Sequence, residues 1–214
     1  ESQVDGASPA TRLWSAASLA VYAIGFSLSY VTLQAGGGAL LLFGAVLVTM
    51  AGVGWFRGDR LRGWRALGLG VAMAGLVALV LPTGLPLDAP DPLGAALMVG
   101  AGASWGVYSL LGRGSRAPVV DTARNFLWAV PLGWGCLLLS ERHVTREGVF
   151  LAVASGAITS ALGYSIWYAA LRNLRATQAG LAQLTVPIFA ALGGVVLLGE
   201  PVTARLVLCG LAVL

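Results

Sequence analysis

Eight apolar runs follow one another along the chain, most of them close to the ~20 residues a helix needs to cross hydrocarbon. As segments A to H they cover about Leu13–Leu33, Gly38–Phe56, Trp64–Leu81, Leu93–Leu111, Val119–Leu139, Val149–Leu171, Thr177–Leu198, and the stretch from Thr203 onward. The gaps between them collect Gly, Pro and charge: GGG, RGDRLRG, PTGLPLDAPDP, RGSRAP, SERHVTREG, RNLR and GEPVTA. Such residues stop helices and turn chains. The pattern predicts an all-α polytopic membrane protein with about eight spans. Segment H has room for about 18 Å of helix against roughly 30 Å of hydrocarbon, so its span is expected to be truncated. Glu1 is not an initiator Met, and the residues ahead of segment A read as a loop rather than a signal peptide.

Composition strengthens that picture. Of the 214 residues, 57% are hydrophobic and 10% are charged, with a mean hydropathy of +0.84. A soluble domain carries about 25% charged residues, so lipid is the expected solvent. The net charge of +4 is topological and does not suggest nucleic acid: all thirteen basic residues are Arg. With segment A starting in the cytoplasm, ten arginines fall on the cytoplasmic side: Arg12, Arg57, Arg60, Arg62, Arg65, Arg113, Arg116, Arg124, Arg172 and Arg175. Only Arg142, Arg146 and Arg205 fall outside. The expected location is the cell (inner) membrane, with the Arg-rich loops cytoplasmic.

The absence of Lys excludes a Walker A phosphate loop and Schiff-base chemistry. Cys136 and Cys209 lie in apolar runs and are expected to be buried, inert thiols. His143 is the only histidine and sits in a polar gap, so no metal cluster and no cofactor is expected. An intramembrane enzyme would need a buried nucleophile–base pair or metal ligands, which these segments lack. A passive channel-like facilitator or a helical scaffold stays open beside a carrier. Nothing in the sequence selects monomer over homodimer.

One stretch occurs twice. GFSLSYVTL (Gly25–Leu33) returns as GYSIWYAAL (Gly163–Leu171). The likeness continues from GGALLLFGAVL to QAGLAQLTVPI, and both segments end before a Gly–acid pair, Gly58-Asp59 and Gly199-Glu200. Segments A–B–C therefore correspond to F–G–H. F is the fifth span after A, an odd step, so the second copy must cross the membrane in the opposite sense. Inverted repeats are the hallmark of secondary transporters. Restoring two helices before A and completing H makes two five-helix units and ten spans. Residues 11–82 are then the remnant of the first unit and residues 92–214 the second.

The residues GASWGVYSLLGR in segment D, followed by GYSIWYAALRNLRATQAGLAQLTVPIFAALGGVVLLGEP in F and G, resemble the second repeat of EamA-type transporters of the drug/metabolite transporter superfamily. The resemblance covers essentially the whole chain and is weakest across E. It implies a ten-helix inner-membrane carrier that exports amino acids or other small metabolites. The first repeat departs from it at Val46, where the second has Pro187, and at Asp59, where the second has Glu200.

A carrier of this kind holds its substrate near the midplane, so polar and aromatic side chains in mid-helix are the candidates. On D these are Ser104, Trp105 and Tyr108, spaced to share a face; on F, Tyr164 and Trp167, on one stripe with Ser160. Segment G offers Gln183, E offers Trp128, and A offers Tyr22 and Phe26. Each aromatic can equally be packing. Gln183 needs a partner, which an adjacent helix, water or substrate could supply. Pro187 suits a hinge or an inert bend. The repeated Tyr30 and Tyr168 suit either an aromatic belt or an outer and an inner gate. Trp14, Trp55 and Trp64 read as interface anchors and Trp134 as core. Asp121, Arg124 and Glu200, at helix ends, read as caps and topology signals.

Overall fold

The computed structural model describes residues 8–58, 63–80, 90–113, 115, 117–138 and 144–213. His143, Asp59, Arg60, Arg62, Arg116 and Arg142 lie outside the described residues. Within them the chain is helical throughout: α1 (Pro9–Ser29), α2 (Ala35–Phe56), α3 (Trp64–Val80), α4 (Pro92–Gly112) and α5 (Pro118–Leu138) come first. Then come α6 (Arg146–Ala154), a π-helical segment (Ser155–Ser160), α7 (Ala161–Leu171), α8 (Ala176–Gln183), α9 (Val186–Leu198) and α10 (Ala204–Val213). Helix α6, the π segment and α7 form one rod, and α8 and α9 follow each other with two residues between them. The four stretches Ala35–Phe56, Pro92–Gly112, Arg146–Leu171 and Ala176–Leu198 are each long and apolar enough to cross a bilayer.

The helix starts follow from local chemistry. The Thr11 amide donates to Ser8 Oγ at 3.1 Å, with Pro9 opening α1. Asp91 does the same for α4, accepting from the Gly94 amide at 2.6 Å ahead of Pro92. Thr145 and Thr203 cap α6 and α10 through the amides of Gly148 and Leu206, at 3.0 and 3.1 Å. Each side-chain oxygen satisfies one of the amides that a helix start leaves orphaned, and Pro in the first turn has no amide to orphan. Helix α1 stops at Ser29, four residues before segment A does. There the Val31 and Thr32 amides bond three residues back instead of four, at 3.3 and 3.1 Å, and the Ser29 hydroxyl donates to the Gly25 carbonyl at 2.6 Å. Hydroxyls that compete for carbonyls in this way loosen a helix end.

Two compact units emerge, and both take residues from α1 and α4. The first comprises α1 up to Ala20 and Tyr108–Leu174. In it the rod Arg146–Leu171 buries only Tyr168 and Leu171. Its Arg-bearing loops meet: Arg113 donates to the Leu174 carbonyl, and Arg172 to the Ser115 carbonyl at 3.4 Å.

The second unit comprises Val21–Val107 and Arg175–Leu214. Its spine is α2, apolar on all sides and contacted by α3, α8, α9 and α10, with α10 also against α3. A helix apolar all round is a buried helix. Leu41, Met50 and Met98 are wholly buried here. Small residues bring backbones together: a Cβ on Gly102 of α4 would collide with the Leu42 carbonyl oxygen of α2, and one on Gly75 would lie 2.7 Å from Ala212 Cβ. Lipid offers no hydrophobic drive between helices, so such close approach is what binds them.

At one end of this unit Thr32 donates to Asp91 Oδ2 at 3.3 Å, and the Ala35 amide donates to Glu200 Oε1 at 2.7 Å. Gly199, with φ +68°, turns the chain left-handed after α9 so that Glu200 points back at the start of α2. Helix α2 is likewise followed by a left-handed glycine, Gly58 at φ +88°.

Two expectations are corrected. Cys209 is buried, but Cys136 is exposed. Trp134, expected in the core, is 60% exposed. An apolar side chain facing lipid loses nothing relative to one facing another helix, so apolar character alone does not select the inner face.

Candidate functional site

The candidate residues fall into two clusters, one in each unit. In the second unit the centre is Gln183, the last residue of α8 and 6% exposed. Its Oε1 accepts the Trp105 indole N–H at 2.6 Å, and its Nε2 lies 3.9 Å from Met50 Sδ. Trp105 packs on Tyr22 with ring centroids 4.9 Å apart; Tyr22 follows on Phe26 at 5.6 Å, and Phe26 meets Tyr30 edge-on at 4.8 Å. Tyr22, Phe26 and Tyr30 recur every fourth residue, so they form one stripe along α1 and the turn that follows it.

Regular helical hydrogen bonding lapses immediately after Gln183, although Leu184 and Thr185 keep right-handed helical dihedrals. Leu184 and Thr185 separate α8 from α9, and Pro187 stands in the first turn of α9. Proline has no amide hydrogen, so the Gln183 carbonyl loses its intrahelical donor. The Thr185 hydroxyl covers the Ala182 carbonyl at 3.1 Å. Gln183 thus places a polar side chain and an under-used main-chain carbonyl together in an apolar bundle. That combination suits reversible capture of a polar solute.

In the first unit the centre is Tyr108, 1% exposed. Its hydroxyl donates to Thr122 Oγ1 at 3.3 Å, and its ring lies 6.4 Å from Tyr164 and 5.9 Å, edge-on, from Tyr168. Tyr164 stacks on Phe126 at 5.5 Å and 12°. The Trp167 indole donates to Ser109 Oγ at 3.1 Å.

The two repeated tyrosines have matching surroundings. The Tyr30 ring covers Gly38 of α2, where a Cβ would lie 2.6 Å from it, and its hydroxyl donates to the Ala35 carbonyl at 3.3 Å. The Tyr168 ring covers Gly112 of α4 with no room for a Cβ, and its hydroxyl donates to the Tyr108 carbonyl at 3.4 Å.

Residues 92–214 match the sequence profile of the EamA-like transporter family. The chain belongs to that family. It is 48% identical over 211 residues to an uncharacterized protein of Pseudomonas aeruginosa, an alignment covering 97% of this chain and 72% of that one. It is 33% identical over 150 residues to the threonine/homoserine exporter RhtA of Salmonella typhimurium, covering 67% of this chain and 50% of the exporter. The uncharacterized transporter YoaV of Bacillus subtilis is 20% identical over 163 residues, covering 72% of this chain and 56% of that one. Apart from the Pseudomonas protein, the chain spans about half the length of these curated relatives. EamA is a family of transporters and not of enzymes.

Of the candidates in this EamA chain, Gln183, Trp105, Tyr22, Phe26 and Tyr30 are joined in one cluster, and Tyr108, Tyr164, Trp167 and Tyr168 in the other. Ser104 is half-buried on α4, and Trp128 is 69% exposed on α5, facing outward. Thr122, Asn125, Phe126 and Ser109 escaped the sequence reading. Thr122 and Asn125, buried and three residues apart on the apolar α5, were the available signal.

Proposed function

We propose that this chain forms the greater part of a secondary carrier that exports amino acids or similarly small metabolites by alternating access. The observation that carries the reading is the proline-marked bend between α8 and α9, with the buried Gln183–Trp105 bond beside it, in a chain of a transporter family. Discontinuous helices at mid-membrane are the usual substrate sites of secondary carriers. The aromatic, uncharged lining of both clusters suits a solute with an apolar side chain and a small polar head. The name of the Salmonella relative, a threonine/homoserine exporter, favours amino acids.

In this reading the helices are the third to tenth spans of a ten-span protein, with residues 11–82 in the first five-helix unit and 92–214 in the inverted second. The Arg-rich ends face the cytoplasm of a cell whose inner membrane holds the protein. Tyr30 and Tyr168 are the outer and inner gates, each ring seated on a glycine that admits no side chain. The partners are the small-molecule substrate and the lipid bilayer.

The test is counterflow in liposomes containing the full-length protein and preloaded with L-threonine or L-homoserine. A carrier accumulates labelled substrate transiently against its gradient, and the Gln183→Leu variant loses this. Equilibration without overshoot would identify a channel-like facilitator, and no flux at all a scaffold. Cysteines at positions 30 and 168 should respond oppositely to substrate when labelled from the two faces; identical responses remove the gate assignment.

A further inference from the structure

Asn125 of α5 is 8% exposed, and among the described residues no hydrogen-bond partner reaches its side-chain amide. An amide offers two donors and an acceptor, and leaving them unmet in an apolar surrounding is costly unless something else meets them. Its place on the helix is informative. Thr122 lies three residues before it and accepts the Tyr108 hydroxyl at 3.3 Å. Phe126 lies beside it and stacks on Tyr164 at 5.5 Å. Asn125 therefore stands on the face of α5 that carries the Tyr108–Tyr164 cluster. Asp121, one turn earlier on that face, is already engaged: its Oδ2 accepts from Ser115 Oγ at 2.6 Å, and its Oδ1 faces Arg124 at 3.9 Å. The uncommitted polar group beside the cluster is neutral, with a donor and an acceptor side by side.

Resting on the carrier reading above, we infer that Asn125 is a substrate-binding residue that takes the amino and carboxylate groups of an amino acid. The amide N–H accommodates the carboxylate, the amide oxygen accommodates the ammonium, and the aromatic cluster takes the apolar part. A neutral amide suits a zwitterion because the ligand brings no net charge into the bundle. Two carboxyl–amine contacts through one rigid plane also discriminate against molecules lacking either group.

The test uses full-length protein carrying Asn125→Leu or Asn125→Gln, with three probes: L-threonine, the amino alcohol lacking its carboxylate, and the hydroxy acid lacking its amine. Wild type should prefer L-threonine over both analogues on the order of tenfold or more in KM, because an unmet buried polar group penalises each analogue. Asn125→Leu should raise the KM for L-threonine and bring the three probes within about twofold of one another, with kcat little changed. Asn125→Gln should keep part of the preference. Without ligand, Asn125→Leu should unfold no more easily than wild type, because an unmet amide has been removed. Unchanged discrimination in Asn125→Leu, or a ligand-free protein clearly less stable than wild type, would overturn the assignment and make Asn125 a structural residue. Binding is read in parallel as the rise in unfolding midpoint with L-threonine in detergent. Wild type that binds without counterflow sinks the carrier reading alone, and equal binding by wild type and Asn125→Leu sinks this inference alone.

Discussion

The bond between Trp105 and Gln183 makes a quantitative claim on stability. Both side chains are 6% exposed, and the indole N–H meets Oε1 at 2.6 Å. Removing one partner leaves a buried donor or acceptor unmet, a loss of about 1–3 kcal/mol in soluble proteins. Inside bilayers the measured values are lower, averaging about 0.6 and reaching about 1.7 kcal/mol, because the unfolded chain also finds partners there. The short distance and near-complete burial put this pair at the upper end, about 1–2 kcal/mol, or roughly a 5–30-fold shift in the unfolding equilibrium. Gln183→Leu is the clean perturbation, since the aligned position of the first repeat is already a buried Leu42. Trp105→Phe adds the loss of ring volume, which a double-mutant cycle cancels. Unfolding of wild type, both single variants and the double variant, followed by circular dichroism in detergent titrated with SDS, should give a coupling of about 1 kcal/mol. Additivity within about 0.3–0.5 kcal/mol would mean that the bond contributes nothing, and the placement of Gln183 would need another cause.

Three more perturbations are sharp. Glu200→Ala removes the carboxylate that accepts the Ala35 amide and should cost about 1–2 kcal/mol, with faster hydrogen exchange confined to the first turn of α2; Glu200→Gln, which keeps an acceptor, should lose less. Gly102→Val puts a branched side chain against the Leu42 carbonyl and should destabilise by about 1–3 kcal/mol in the same unfolding assay, while Gly100→Val, with open space around it, should be close to neutral. Pro187→Ala returns an amide to the helix after Gln183 and relieves the large propensity penalty of proline, about 3 kcal/mol in a helix interior and less near a helix start. It should leave stability unchanged or higher and abolish counterflow; intact counterflow would make the bend inert.

The helix positions were legible because their signals are local. Asp91-Pro92 and Thr203 mark starts and Gly58 and Gly199 ends close to the bounds of the apolar segments, whereas segments A and F begin at Leu13 and Val149, inside the helices that Ser8 and Thr145 cap. The π segment Ser155–Ser160 and the break at Leu184–Thr185 were not legible, although Pro187 marked a bend nearby. Which face looks inward was the poorest reading. In water an apolar stripe identifies the buried face, but in lipid apolar residues lie on every face. Hence Trp128, Trp134 and Cys136 turn outward despite their chemistry, while Gly102, Gln183 and Asn125, small or polar, mark the inside. The aromatic candidates were chosen for polarity as well as size, and those bearing a hydroxyl or an indole beside a helix contact, such as Tyr108 and Trp105, are the ones found buried.

The two copies of the repeat use the same register for different ends. Aligned position by position, Leu42 stands where Gln183 does, and Val46 where Pro187 does. In α2 these residues are 2% and 0% exposed in an uninterrupted helix of 22 residues, so every internal carbonyl keeps its donor and the helix serves as a spine. In the second copy the same two positions supply an amide side chain and a missing amide hydrogen, and the helix separates into α8 and α9. Helix α2 packs on both sides of the irregularity: Gly180 of α8 lies against Leu47 and Gly194 of α9 against Ala35. The continuous copy thereby stabilises the interrupted one, and Glu200 fastens the far end of the interrupted copy to the first amide of the continuous copy. A proline at position 46 would remove a donor from the spine, and an alanine at position 187 would return to the Gln183 carbonyl the donor that proline withholds.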